Sequence, residues 1–386
     1  MRILILSPKI LDESLSSTSR DASMEYLSHH AEVVLIGRFR DPSSASMGRA
    51  YEVVPVGAPR VPILNMLWFL IRGTVAVASA LKRRTPDVIL VEPASVVPAI
   101  AGRLYARLRP APPVHLDVRT MPVPGGGWRS LLERAFNTLM FRLARRGCSG
   151  FSAITDGVAG WMSQSMGLDP AGITIWSTGV DPALFDPARF PSRGSTDSGV
   201  LRVIYHGAVS LSRGLGELVL AMGRISADGH DTTLTILGNG PDVDAVTTLR
   251  DKSGLRDVVT ISPAVALADV PAVIAEHDVG VIPLPDLPCW STSSPTKLME
   301  YLAMGIPVIA TDIEAHRAVL DFDGPVVWAG TGDAVQLAEA IKTAGDSLGE
   351  LTSRSRAGRD DFVAAYSWSA QAALLLSALQ RTSGTI

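Results

Sequence analysis

Ser294-Pro295-Thr296-Lys297-Leu298-Met299-Glu300-Tyr301-Leu302-Ala303-Met304-Gly305-Ile306-Pro307-Val308-Ile309-Ala310 reads as a helix start followed by a buried strand. Ser294 suits an N-cap, Pro295 the first helical position and Gly305 a left-handed C-terminal cap, while Pro307 stops the helix from continuing. These signals predict a helix of about three turns. Lys297 then falls in the first turn, where the positive end of the helix dipole disfavours a cation by roughly 0.3–1 kcal/mol. A phosphate held by the free first-turn N–H groups would reverse that penalty, and Glu300, on the same face, can accept hydrogen bonds from ribose hydroxyls. The plainer reading is a solvated helix face with an i,i+3 Lys-Glu pair, and the stretch alone leaves both open.

The chain has 386 residues, which suits two domains of about 150–200 residues each better than one core. Charged residues make up 19 % and hydrophobic ones 47 %, a balance that fits large buried cores and excludes disorder. A net charge of −3 gives no bulk attraction to nucleic acid. Cys148 and Cys289 lie in different halves with no metal-ligand or C-x-x-C spacing, so a reducing, cytoplasmic setting is expected. The apolar run after Met1-Arg2 is about four residues long, well short of a signal-peptide core, and reads as a first strand.

Short aliphatic and β-branched runs alternate with helical patterns, which predicts an α/β chain of parallel sheets covered on both faces. Strand candidates in the first half are residues 3–6, 33–36, 88–91, 114–118, 150–154 and 173–176. In the second half they are 203–205, 233–237, 258–261, 279–282 and 308–310. Residues 181–199, rich in Pro, Asp, Ser and Gly, carry no apolar period and read as a linker. The expected domains are therefore 1–186 and 187–367, with an apolar helical segment at 368–386 crossing back onto the first.

Further segments end strands at the carboxyl edge, where open α/β sheets bind ligands. In Tyr205-His206-Gly207-Ala208-Val209-Ser210-Leu211-Ser212-Arg213-Gly214, Gly207 lets the backbone approach a phosphate and Arg213 can contact phosphoryl oxygens in a bidentate way. Leu234-Thr235-Ile236-Leu237-Gly238-Asn239-Gly240-Pro241 closes a strand with a Gly-rich turn. Either loop alone also fits an ordinary strand-to-helix connection. Asp242 and Asp244 read as surface charges on a helix start, and His206 either contacts phosphate or sugar or is an ordinary satisfied polar side chain. In Leu116-Asp117-Val118-Arg119-Thr120, at the end of the expected fourth strand, Asp117 and Arg119 either line a ligand cleft or form a buried pair that ties down a loop. Ser16-Ser17-Thr18-Ser19-Arg20 either caps the first helix or meets an acceptor.

Together these segments resemble the retaining nucleotide-sugar glycosyltransferases of the GT-B fold, the group that contains sucrose synthase and many bacterial mannosyl- and glucosyltransferases. The likeness runs in order through Gly207 to Gly214, Leu234 to Pro241, Asp278-Val279 before a strand ending at Pro283, and Ser294 to Ala310. It includes Thr178-Gly179-Val180-Asp181-Pro182-Ala183-Leu184-Phe185, similar to the family's Asn-Gly-Val-Asp-x-x-x-Phe at the junction of the domains. It implies two Rossmann-like, doubly wound domains facing a central cleft, with the donor bound mainly by the second and the acceptor by the first.

Carried over by position, the resemblance implies that Arg213 and Lys297 neutralise the donor diphosphate and that Glu300 meets the ribose hydroxyls. Val265 falls where the family's backbone meets the nucleobase, and Gly207, Gly238, Ser294, Pro295 and Thr296 complete the donor site. Asp117 joins Arg213 and Lys297 as the expected catalytic set, with Arg20 and Arg119 on the acceptor side. No metal or other cofactor is implied, because fixed cations can stabilise the charge that grows on the departing diphosphate. In retaining members the departing phosphate is thought to take the acceptor's proton. Thr292 and Ala208 stand where many members carry Glu and Arg, which alters the contact to the sugar ring, and Thr178 replaces the usual Asn.

Residues 62–78 are apolar but interrupted by Arg72 and followed by Lys82-Arg83-Arg84, so the run falls short of the about 18 residues needed to span a bilayer. Residues 128–146 interleave Leu131, Leu132, Phe136, Leu139, Met140 and Leu143 with Arg129, Arg134, Arg142, Arg145 and Arg146. Both stretches fit sheet packing or peripheral contact with an anionic membrane at its inner face. The second reading favours a lipid-linked or cell-envelope glycan acceptor. A UDP-sugar epimerase and a catalytically weak nucleotide-binding partner subunit share the implied fold and stay open as alternatives.

Overall fold

Two parallel sheets organise the chain. In the computed structural model, residues 1–12, 18–46, 49–59, 62–108, 110–121, 127–190, 199–320 and 324–385 are described. They divide into one unit of Met1–Ser177 with Trp368–Ile386 and a second of Thr178–Ser367.

The first unit holds β1 (Arg2–Ile10), β2 (Glu32–Phe39), β3 (Glu52–Gly57), β4 (Val88–Val91), β5 (Val114–Val118), β6 (Gly150–Ala153) and β7 (Ile173–Ile175), ordered β3-β2-β1-β4-β5-β6-β7. The second holds β8 (Leu201–His206), β9 (Thr232–Leu237), β10 (Val259–Ser262), β11 (Val279–Ile282), β12 (Val308–Ala310) and β13 (Val326–Trp328), ordered β10-β9-β8-β11-β12-β13. In each sheet the strand order reverses beside the first strand, between β1 and β4 and between β8 and β11. That reversal opens a crevice at the carboxyl edge, the place where doubly wound folds bind ligands. Strands such as β4 and β11 are buried along their whole length because helices cover both faces.

Two strands are additions to the expected set, and both lie at sheet edges. Pro55 interrupts β3, but an edge strand tolerates a residue without an N–H donor. β13 is only 3 residues long. Asp117 therefore ends the fifth strand of its unit, not the fourth.

The first unit ends at Ser177, earlier than the boundary at 186 expected from composition. Residues 178–186 belong with the second unit for a packing reason: Val180 and Phe185 are buried with Leu298, Tyr301 and Leu302. The Val180 N–H also bonds the Tyr366 carbonyl at 2.9 Å. Asp186 accepts from the Ala188 N–H at 3.1 Å and shapes the turn Pro187–Arg189, while the rest of the expected linker, 191–198, lies outside the described residues. The helix Trp368–Ser383 packs on the first sheet, burying Leu375 and Leu379 against Leu35, Leu90 and Trp176.

Candidate functional site

The helix that follows Pro295 spans Thr296–Ala303, 8 residues, which is shorter than the three turns expected. Pro295 takes the N-cap position, with no side-chain capping bond. Ser294 does not cap: its Oγ lies 2.5 Å from Thr178 Oγ1 and accepts the Thr178 N–H at 3.1 Å. The hydroxyl thus ties the start of the second unit to the residue before the helix, while the Leu298 N–H bonds the Pro295 carbonyl at 3.0 Å. At the other end Gly305, with φ of 68°, donates to the Leu302 carbonyl, and Ile306 donates to that of Tyr301. These two bonds form a Schellman cap and hold the helix end on its strand.

The loop after β8 meets that helix. A Cβ at Gly207 would lie 2.7 Å from Lys297 Cε and 2.8 Å from Nζ, so the lysine head rests directly on bare backbone. Its ammonium also sits 5.3 Å from the centre of the Tyr205 ring. The neighbouring Gly-rich turn is as close: a Cβ at Gly238 would lie 1.8 Å from the Gly207 carbonyl oxygen. The Gly207 N–H bonds Leu237 O at 2.8 Å and the Gly238 N–H bonds Ser262 O at 2.9 Å. Both glycines thus keep two strand-end loops in backbone contact.

Arg213 is held from two sides. Its guanidinium stacks over the Trp290 ring at 4.4 Å, and Trp290 Nε1 donates to the Ser212 carbonyl at 2.9 Å. Asp242 accepts from Ser210 Oγ at 3.0 Å and from the Leu211 N–H at 2.8 Å. It stands at the N-cap of the helix Val243–Lys252, the helix start expected, and also braces the Arg213 loop. Gly214, with φ of 78°, presses on the Pro283 carbonyl at the end of β11 and leads into the helix Leu215–Ala227.

Burial, and then the Arg213 charge, push the Lys297 ammonium below the ordinary lysine range, against the pull of Glu300. Burial raises the Glu300 carboxyl, with Lys297 opposing. Tyr205 is pushed up to about 12 by burial although Arg213 draws it down. Burial and then Lys297 drive His206 down to about 3, which leaves it neutral. Two cations and one carboxyl thus share a crevice that carries excess positive charge, a setting for an anion. Glu300 is 9 % exposed, and its Oε2 lies 3.2 Å from Nε2 of the neutral His206, while among the described residues it makes no ion pair with Lys297. That contact excludes the solvated Lys-Glu face.

The other expected residues divide. Val265, in the loop after β10, is exposed, and the preceding Ala264 N–H bonds Asn239 Oδ1 at 3.3 Å. Thr292 Oγ1 bonds the Pro288 carbonyl within the short helix Pro288–Ser291 that carries Trp290. Asp117 is 2 % exposed and accepts from Ser152 Oγ at 2.6 Å, Trp176 Nε1 at 2.8 Å and Arg119 Nε at 2.9 Å. Arg119 also stacks on the Trp176 ring at 4.5 Å. Asp117 and Arg119 thus form a pair that ties down a strand end, and both line a small cavity beside Ser23 and Glu92. The Arg20 side chain and residues 16–17 lie outside the described residues.

Among the described residues no group of three or more His, Cys, Asp or Glu side chains is placed to hold a metal ion. No described helix is long and apolar enough to cross a membrane. The helix Pro62–Arg83 nevertheless exposes Leu67, Trp68, Ile71 and Val75.

Two doubly wound units, the second with cationic loops at its switch point, define a glycosyltransferase of the GT-B fold. Residues 201–346 match the family Glycosyl transferases group 1, and residues 22–184 match Glycosyltransferase Family 4; the chain belongs to these enzymes. It is 24 % identical over 311 residues to the 2-deoxystreptamine glucosyltransferase of Streptomyces kanamyceticus, covering 77 % of this chain and 78 % of that one. Sucrose-phosphate synthase from Thermosynechococcus elongatus superposes with a TM-score of 0.77 at 15 % identity, over 100 % of both chains. Anabaena HepE in complex with UDP does so at 0.74 with 14 % identity, over 100 % of this chain and 99 % of that one.

Proposed function

We propose that this enzyme transfers a sugar from a nucleoside-diphosphate sugar to an acceptor hydroxyl with retention of anomeric configuration. The observation that carries the reading is Lys297 lying on the bare backbone of Gly207, in the same crevice as Arg213. A diphosphate there would meet both cations and the first-turn N–H groups of Thr296–Ala303. As the bond from anomeric carbon to phosphate breaks, charge accumulates on the leaving diphosphate, and fixed cations favour that state over the ground state. Asp117 has its carboxylate engaged by three donors and is no base. A leaving phosphate that takes the acceptor proton fits such a site and calls for no metal. Glu300 would accept from ribose hydroxyls, with the base near Val265. The UDP complex of HepE and the glucosyltransferase relative make UDP-glucose the first donor to try.

The exposed row Leu67, Trp68, Ile71 and Val75, close in sequence to Lys82, Arg83 and Arg84, supports contact with anionic lipid and a glycan or lipid-linked acceptor. Incubation with a panel of nucleotide sugars tests the reading. Slow hydrolysis of one donor supports it, and NMR of the product with acceptor reads the anomeric configuration. An isomerised nucleotide sugar would point to an epimerase, and binding without turnover to a nucleotide-binding subunit. Sedimentation with anionic liposomes, weaker at high salt and in Trp68→Ser/Ile71→Ser, is expected for the membrane contact.

A further inference from the structure

We propose that His206 is a positioning residue of this site: its Nε2–H grips the Glu300 carboxylate and aims it at the vicinal hydroxyls of a nucleotide ribose. The inference rests on the glycosyltransferase reading and gives His206 a role towards Glu300, in place of the direct phosphate or sugar contact that the sequence left open.

His206 ends β8 next to Gly207 and is 7 % exposed. Its ring is fixed edge-on against Tyr301, with centroids 5.0 Å apart and planes at 85°. Tyr301 is itself bolted to the strand, since its hydroxyl accepts the His206 N–H at 3.2 Å and donates to the Ile204 carbonyl at 3.1 Å. The imidazole and the neighbouring Glu300 are thereby set by the same two elements. Nε2 is shut off from solvent and has no aligned hydrogen-bond partner, yet Glu300 Oε2 lies 3.2 Å away. An orphaned buried N–H costs about 1–3 kcal/mol, and a turn of the carboxylate about its last torsion satisfies it.

The other groups around Glu300 do not replace this contact. Lys297, one turn earlier on the same helix, rests on Gly207 and Tyr205 outside ion-pair distance. Arg213 acts on Lys297 and Tyr205 and is occupied by Trp290. Tyr205 and Tyr301 are neutral phenols, raised by burial. Burial and Lys297 keep the imidazole uncharged, so it serves as a neutral donor. A carboxylate held that way accepts hydrogen bonds from sugar hydroxyls, whereas a protonated carboxyl would spend one oxygen as a donor.

Three proteins test this by calorimetry with UDP, GDP and 2′-deoxy-UDP between pH 5.5 and 8.5: wild type, His206→Phe and His206→Gln. Loss of the grip in His206→Phe should weaken binding about tenfold at pH 7. On acidification that variant should lose binding at a higher pH than the wild type does, because a carboxyl already raised by burial loses the donor that opposes its protonation, and it should lose the preference for UDP over its 2′-deoxy form. His206→Gln, whose amide N–H can reach the carboxylate, should recover most of the affinity and the wild-type pH profile. A His206→Phe protein with unchanged profile and unchanged ribose preference overturns the inference. Should that variant fail to fold, nitrogen NMR of wild-type His206 decides: the Nε2–H tautomer is expected, and a bare Nε2 refutes it. A wild-type protein that binds neither UDP nor GDP removes the parent reading as well, which is a different outcome from binding that ignores His206.

Discussion

Gly207→Ala separates the placing of Lys297 from the folding of the unit around it. Gly207 has φ of 116°, where a side chain is strained, so the substitution should cost about 1–3 kcal/mol of stability. The new Cβ would also meet Lys297 Cε at 2.7 Å and Nζ at 2.8 Å. Those atoms are the far end of a flexible chain, so the lysine swings aside and the backbone holds. A charge-assisted contact to phosphate is worth about 1.5–3 kcal/mol, which predicts a Kd for UDP raised about 10- to 150-fold. Calorimetry measures the affinity and urea unfolding the stability. Lys297→Met should show the same loss of affinity, and Gly207→Ala added to it should weaken binding no further, because the two act on one contact. Full affinity in Gly207→Ala beside a weakened Lys297→Met, or losses that add, would refute the placement of the ammonium on the Gly207 backbone.

Trp290→Ala removes both the guanidinium stack and the bond to Ser212, so UDP affinity should fall about five- to thirtyfold with the fold intact, measured by calorimetry and circular dichroism. Asp117→Ala orphans two buried donors, Ser152 and Trp176, and the half-buried Arg119, and should destabilise the first unit by about 3–5 kcal/mol in urea unfolding while leaving UDP affinity unchanged. Lost turnover at full stability would return Asp117 to chemistry. Stability should also decline from about pH 6.5 towards pH 4, because the unfolded chain protonates its histidines there while buried His115, His206 and His316 stay neutral, at about 4, about 3 and about 4. Glu300, raised by burial, regains stability on acidification and offsets part of the loss. A flat unfolding midpoint across that range would contradict these buried states.

The parts of the fold that could be read in advance are those in which burial on both faces writes a continuous aliphatic run. Val88–Val91, Val114–Val118, Val279–Ile282 and Val308–Ala310 are of that kind and needed no tertiary context. β3 was hidden by Pro55, and β13 by being only half-buried at the sheet edge, unlike the equally short but fully buried β12, since edge strands are excused from the rules that mark central ones. At the site, Gly207, Arg213 and Lys297 were legible because strand ends and a helix start have fixed positions in a doubly wound sheet. Trp290, Asp242 and His206 were not, because each acts through a partner 78, 32 or 94 residues away in the chain, respectively Ser212, Ser210 and Glu300. Asp117 had two readings in the sequence because a strand-end carboxylate looks the same there whether it faces a ligand or Trp176.

The return of Trp368–Ser383 to the first sheet has a consequence for how the protein is made. Leu375 and Leu379 complete the layer over Leu35 and Leu90, yet they leave the ribosome only after all of Thr178–Ser367 has been synthesised. The half translated first is therefore the half finished last, and until then one side of its sheet is only partly covered, by Met24 and Leu27, while the later half can already close. Quality control during translation would meet a partly bare apolar face near the N-terminus, and trimming the final helix would leave that vulnerability permanent.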